Sequence, residues 1–239
     1  MIRIAVITPI PKSIETLVEN SILRKALEKK IVELNIVNLR DFGVGNYKQI
    51  DDKPYGGLPG MVLMAKPISE AIEYSLNLFG GVKEDVKIIY PSPQGKNWSQ
   101  NIAKELSLKQ KFIFICGHYK GIDERIIRKY VTNEYSIGDF IMTSGEIPAM
   151  IMLDSVIRLV PGTLNNINSA LTDSHADILL DNPYYTSPRE IFGYSVPEVL
   201  LSGHHAKIRS WQIKQKEKST RNKRPDIYDK YKKLIEIGE

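Results

Sequence analysis

The sequence predicts an α/β domain on a mostly parallel sheet, followed by a small, mainly helical C-terminal domain. Three observations predict it. Strand and helix signals alternate over the first two-thirds of the chain, the pattern of a parallel sheet with helical crossovers. Residues 161–188 then break the rhythm with Pro161, Gly162, Pro183, Pro188 and several Asn and Ser, the composition of a connecting segment. The remainder of the chain is short, helical and basic.

Residues 2–8, IRIAVIT, form a β-rich run and read as a first strand. No basic start precedes a long apolar stretch, so this is not a secretory signal. Residues 14–30 have helical spacing, with Ile14, Val18, Ile22 and Leu23 on one side. Residues 32–38 alternate as a strand does. Residues 67–79 read as a helix, 86–90 as a strand and 98–106 as a helix. Residues 112–116 are a fully apolar strand, 123–130 a helix, and 149–159 an apolar helix preceded by Pro148. Beyond the break, Ser202 reads as the N-cap of a helix over 204–218, and a last helix spans 225–237. The domain bounds expected are 1–161, a linker over 162–183, and 184–239.

With 239 residues and 42% hydrophobic composition, the chain can bury a sizeable core. No apolar run approaches the roughly 18 residues that a membrane-spanning helix needs, so no membrane partner is expected. One cysteine, Cys116, excludes an intramolecular disulfide and a Cys-rich zinc site, and fits a reducing, cytoplasmic location. The net charge is +5, from 33 Lys/Arg against 28 Asp/Glu. From Gly203 onward there are eleven Lys/Arg against five Asp/Glu, so the surplus sits entirely in the tail. Such a tail suits a phosphate backbone, or is simply a solvated helix.

Glycines and prolines cluster at the ends of the expected strands. Pro91-Ser92-Pro93-Gln94-Gly95 follows one strand and Cys116-Gly117-His118-Tyr119-Lys120-Gly121 the next. Ser136-Ile137-Gly138-Asp139-Phe140 and Ser144-Gly145-Glu146-Ile147-Pro148 follow a third. Each alone reads better as an ordinary tight turn. Together they point to one pocket, because ligands in open α/β sheets bind where strands end. The loops carry no common nucleotide signature: Lys48 stands where a dinucleotide fingerprint starting at Gly43 needs glycine, and Tyr90 where a P-loop would. His204 and His205 are adjacent, hence on different helix faces and poor as a metal pair. The turn-rich stretch from Asp51 to Met61 is long enough to be functional, or structural. Asp173-Ser174-His175-Ala176-Asp177 lies in the connecting segment and alone reads as a solvated acidic stretch. Residues 165–177 offer few core anchors and are expected to be mobile without ligand.

A set of segments, taken in order, resembles the bacterial TrmD family of tRNA (guanine-N1)-methyltransferases over essentially the full length. It comprises Asn38-Leu39-Arg40-Asp41-Phe42, the stretch from Asp51 to Met64, Ser92-Pro93-Gln94-Gly95 and residues 116–125. It continues through Ser136-Ile137-Gly138-Asp139, residues 145–150, residues 154–158, Asp173-Ser174 and Leu179-Leu180-Asp181. Pro183, Tyr185-Thr186 and residues 199–211 complete it. The resemblance implies a SPOUT-type sheet with a deep trefoil knot, which pattern reading alone does not predict. It also implies a homodimer with a shared active site, S-adenosylmethionine as methyl donor, and tRNA as partner.

The implied reaction methylates N1 of the guanine at tRNA nucleotide 37, with Asp173 as general base and Arg158 stabilising charge on O6. The implied cofactor residues are Pro93, Gln94, Gly95, Gly117, His118, Tyr119, Lys120, Gly121, Ser136, Ile137, Gly138, Phe140, Ile141, Met142, Gly145 and Pro148. Residues 207–218 and 221–224 would hold tRNA phosphates. His118 and Lys120 depart from the family's usual Arg and Glu, Leu58 from Gly, Thr143-Ser144 from Ser-Gly, and Thr8-Pro9 from Phe-Pro. In some members that Glu is associated with magnesium, so Lys120 leaves a magnesium requirement open. Two alternatives stay open: a SPOUT-type RNA ribose 2′-O-methyltransferase, and a tRNA-binding protein with impaired chemistry.

Overall fold

The computed structural model describes residues 1–19, 21–164, 173–176 and 178–238. The chain divides into two compact units, Met1–Ile167 and Asn168–Glu239. Most of the segment expected to be mobile, residues 165–172 and 177, lies outside the described residues.

The first unit is built on strands β1 (Ile2–Thr8), β2 (Val32–Asn38), β5 (Lys87–Asn97), β6 (Lys111–Ile115) and β7 (Asn133–Ser136). They form a parallel sheet in the order β2-β1-β6-β5-β7. Helices cover both faces, so the central strands bury alternate residues in opposite directions and read as continuous apolar runs. Ile4, Val6, Phe112 and Phe114 meet helices α1 (Pro11–Glu19), α2 (Ile22–Glu28), α4 (Gln100–Ser107) and α6 (Glu146–Ile157). Ala5, Ile7, Ile88, Ile113 and Ile115 meet α3 (Ala65–Leu78) and α5 (Glu124–Tyr130). Each large side chain so buried contributes about 1.5–3 kcal/mol against exposure.

Several boundaries differ from the sequence expectation for identifiable reasons. The single helix over 14–30 is two helices: the Ser21 hydroxyl donates to the Val18 carbonyl at 3.0 Å, closing the first and leading into the second. The strand expected to stop at Tyr90 continues to Asn97. Pro91 and Lys96 both pair with Tyr135, so the residues between them bulge from the ladder. Helix α6 starts at Glu146 rather than at Ala149, and Pro148 sits in its first turn, where no helical acceptor awaits an N–H. A short antiparallel hairpin, β3 (Asp51–Asp52) with β4 (Val62–Leu63), was not expected. Its far strand is tied to the 117–121 loop by Lys120 N to Met61 O at 3.0 Å and Leu63 N to Gly121 O at 3.0 Å.

The second unit holds a hairpin of β8 (Glu190–Ile191) and β9 (Tyr194–Ser195), then α7 (Glu198–Leu201), α8 (His205–Lys223) and α9 (Pro225–Gly238). Ser202 follows α7 and closes it, its hydroxyl donating to Val199 O at 2.7 Å; His204, not Ser202, precedes α8. Leu180 N donates to the buried Thr220 hydroxyl at 2.9 Å, and Asp181 pairs with Lys216 at 3.4 Å. Residues at the end of the expected linker therefore pack on α8. That helix is polar all round, so specific polar ties rather than an apolar stripe hold it. Among the described residues, no helix is long and apolar enough to cross a membrane.

Candidate active site

Three loops at the C-terminal ends of β5, β6 and β7 enclose a cavity of about 310 Å³ in the first unit. Of the residues expected there, Pro93, Gly117, His118, Tyr119, Lys120, Gly121, Ser136, Ile137, Gly138, Phe140, Ile141, Met142, Gly145 and Pro148 line it. Gln94 and Gly95 do not. They lie in the bulge of β5, and Gly95 is pressed on β7, where a Cβ would fall 2.4 Å from Tyr135 N. Pro91, Ser92 and Ser144, from the loops expected to form the pocket, also line the cavity, as do Tyr90, Tyr135 and Thr143, which sequence reasoning missed. Thr143 lies between two segments already singled out, ending at Phe140 and beginning at Ser144, which was the available signal.

The walls are held at backbone distance. Gly145 N donates to Gly117 O at 2.8 Å, and His118 and Ser144 form an antiparallel bridge. A Cβ on Gly145 would stand 2.6 Å from Gly117 N and 2.9 Å from Cys116 Cα, so only glycine permits this approach. Gly121 has φ +120°, and a Cβ there would meet the Tyr90 hydroxyl oxygen at 3.0 Å. The Tyr90 phenol is pushed up to about 12, by burial first and then by the Glu134 charge, against a hydrogen bond with the Ile122 backbone. Tyr90 therefore stays neutral under the loop at physiological pH. Burial and the charge of Glu146 likewise hold the Cys116 thiol well above its ordinary value, so it packs as a core residue.

A carboxylate that sequence reasoning did not assign stands behind this wall. Glu146 is 2% exposed, in the first turn of α6. It accepts from the Thr8 hydroxyl at 2.5 Å and from His118 Nε2 at 2.9 and 3.1 Å. A carboxylate only accepts, so Nε2 carries the proton. Burial pushes Glu146 up, but hydrogen bonds from His118, Thr8 and Ser144 and the attraction of His118 outweigh it; the net direction is down. Glu146 is a buried anion held by two side-chain donors, and Thr8 and His118 meet at this one group.

Arg158 follows the last turn of α6, partly buried. Ile147, Ile151, Asp154 and Arg158 share one face of that helix by their spacing, and Ile147 and Ile151 are 47% and 45% exposed. Asp173 belongs to the second unit, where its carbonyl accepts from Ala176 N at 3.0 Å. On α8, Lys207, Ser210, Trp211 and Lys214 border a shallow depression, with the Trp211 ring 6.3 Å from Tyr185.

An open parallel sheet with a strand-end ligand cavity, joined in sequence to a unit with a cationic, aromatic-bearing helix, defines an α/β protein equipped for a small ligand and a polyanion. Residues 2–230 match the family model described as tRNA (Guanine-1)-methyltransferase TrmD, and the chain belongs to that family. A relative from Ruminiclostridium cellulolyticum is 45% identical over 225 residues, covering 94% of this chain and 95% of its own. Relatives from Staphylococcus carnosus (46% over 229 residues; 96% of this chain, 91% of theirs) and Clostridioides difficile (43% over 228; 95% and 98%) are similar to the same extent. All three are named tRNA (guanine-N(1)-)-methyltransferase.

Proposed function

We propose that this chain transfers the methyl group of S-adenosylmethionine to N1 of the guanine at tRNA nucleotide 37, as a homodimer with a shared active site. The observation that carries the reading is the three-loop cavity in a member of this family. The closely approached Gly117 and Gly145 backbones and the apolar Ile137, Phe140, Ile141 and Pro148 fit an adenosyl group that needs backbone hydrogen bonds and a flat apolar wall. When bound, the donor supplies an electrophilic methyl on a sulfonium. Membership of the family supports reading this region as a deep trefoil knot.

Guanine N1 carries a proton and attacks poorly until it is lost, while charge develops on O6. Asp173 takes the N1 proton in this reading, and Arg158 directs its fork of donors at O6. The exposed Ile147 and Ile151 on the face shared with Arg158, together with the exposed Phe140 and Ile141, support a second protomer covering this surface. For magnesium the pocket is a poor fit: it presents Lys120, and the nearby Glu146 is already taken by Thr8 and His118. No step is routed through a metal.

Tritiated donor, with tRNA transcripts carrying guanine or adenine at nucleotide 37, tests the proposal. Label should enter only the guanine transcript. Label on ribose in both transcripts would favour a 2′-O activity, and tight tRNA binding without label an impaired enzyme. The cationic face of α8 gives a second expectation. Replacing Lys207 and Lys214 together with alanine should weaken tRNA binding and lower the slope of log affinity against log salt by about 1.5. Donor affinity, measured by calorimetry, should not change.

A further inference from the structure

We propose that Glu146 is a positioning residue that locks two pocket loops into the donor-binding shape: it begins α6 at the end of the loop after β7, and it holds His118 on the loop after β6. The proposal rests on the donor reading above. His118 and Ser144 line the cavity, whereas Glu146 does not. His118 comes from the loop after β6, Ser144 from the loop after β7, and Thr8 from the end of β1. These three elements have no covalent reason to hold register at their tips. One buried carboxylate, two residues after Ser144, accepts from Thr8 at 2.5 Å and from His118 at 2.9 Å.

The arrangement is a clamp rather than a reacting group. Glu146 is 2% exposed and has no open side toward the cavity. Its anchorage is firm, because it begins α6, where the helix N-terminus favours negative charge. The His118 side chain is 11% exposed, and with Nε2 held by Glu146 its ring cannot turn without leaving a buried anion short of a donor. Preorganised walls lower the cost of ordering the loops on binding, which emerges as affinity for the donor rather than as turnover.

The test uses Glu146→Gln, His118→Leu and His118→Gln in the full chain. S-adenosylhomocysteine affinity is measured by calorimetry, and amide hydrogen exchange is followed without ligand. Glu146→Gln and His118→Leu should each weaken S-adenosylhomocysteine about ten-fold. Exchange should speed up over residues 117–121 and 143–145 while β1 and β6 stay protected, which separates loosening of the loops from unfolding. At saturating donor, kcat of Glu146→Gln should stay within about three-fold, since Glu146 does not line the cavity and touches no reacting atom. His118→Gln keeps a nitrogen donor near the imidazole Nε2 position and should recover most of the affinity. Should Glu146→Gln not fold, Thr8→Val removes one of the two donors and should loosen the same loops to a smaller degree.

Wild-type affinity and exchange in both Glu146→Gln and His118→Leu would overturn the proposal. So would a large fall in kcat at unchanged affinity, which would make Glu146 part of the chemistry. If the unsubstituted chain does not bind S-adenosylhomocysteine, yet its loops loosen in Glu146→Gln, the clamp stands and the donor assignment fails.

Discussion

Asp173→Asn should lower kcat by about 10²–10⁴-fold at saturating donor and tRNA, the usual contribution of a positioned general base. Asparagine has nearly the same shape and can still hydrogen-bond to the guanine edge, but it cannot accept the N1 proton. The loss should therefore fall in the chemical step. Single-turnover methylation with prebound tRNA isolates that step. S-adenosylhomocysteine affinity should be unchanged, because Asp173 lies outside the unit that holds the cavity. A rate within three-fold of the unsubstituted enzyme would remove Asp173 from the mechanism. Weaker tRNA binding at an unchanged rate would make it a binding residue.

Gly145→Ala should weaken donor binding by about a hundred-fold or more. The added carbon would stand 2.6 Å from Gly117 N, 2.9 Å from Cys116 Cα and 3.1 Å from Cys116 C. All three are backbone atoms of the β6 strand end and its loop, so no side chain can swing aside. The loops must part, which strains the 2.8 Å bond from Gly145 N to Gly117 O and the bridge between His118 and Ser144. Overpacking costs about 1–3 kcal/mol and a lost hydrogen bond about 1 kcal/mol, together about a hundred-fold in affinity. Gly193→Ala is the contrast. It has φ +77° but meets nothing within 4 Å, so it carries backbone strain only and should leave donor binding intact. Calorimetry on both variants decides it, and equal donor affinities would show that the close approach of the loops does not matter.

The fold was legible where one residue's environment repeats along an element. The runs IRIAVIT and FIFI belong to strands buried on both faces, so their apolar character needed no tertiary knowledge. The pocket was legible for a related reason, because glycines at strand ends mark places where backbone must come close to backbone or ligand. The insertion of β6 between β1 and β5 was not, since pairing order depends on which faces pack together rather than on any one strand. Within the β5 bulge only its first half, Ser92 and Pro93, faces the cavity, because Gly95 is pressed on the β7 backbone where Lys96 resumes pairing with Tyr135, and no spacing in the sequence marks that change. Ser202 carried a true capping signal, but it serves the end of α7. Glu146 was hidden most completely. Its partners Thr8 and His118 come together only because β1 and β6 are neighbours, so nothing in sequence spacing ties the three.

The most direct measurement is the nucleoside content of tRNA after reaction. Purified enzyme, S-adenosylmethionine and an unmodified transcript with guanine at nucleotide 37 are incubated, and the digested RNA is analysed by mass spectrometry. The account predicts 1-methylguanosine approaching one per transcript, and none when nucleotide 37 is adenine. Unmodified guanosine alone, or 2′-O-methylguanosine in its place, would contradict it.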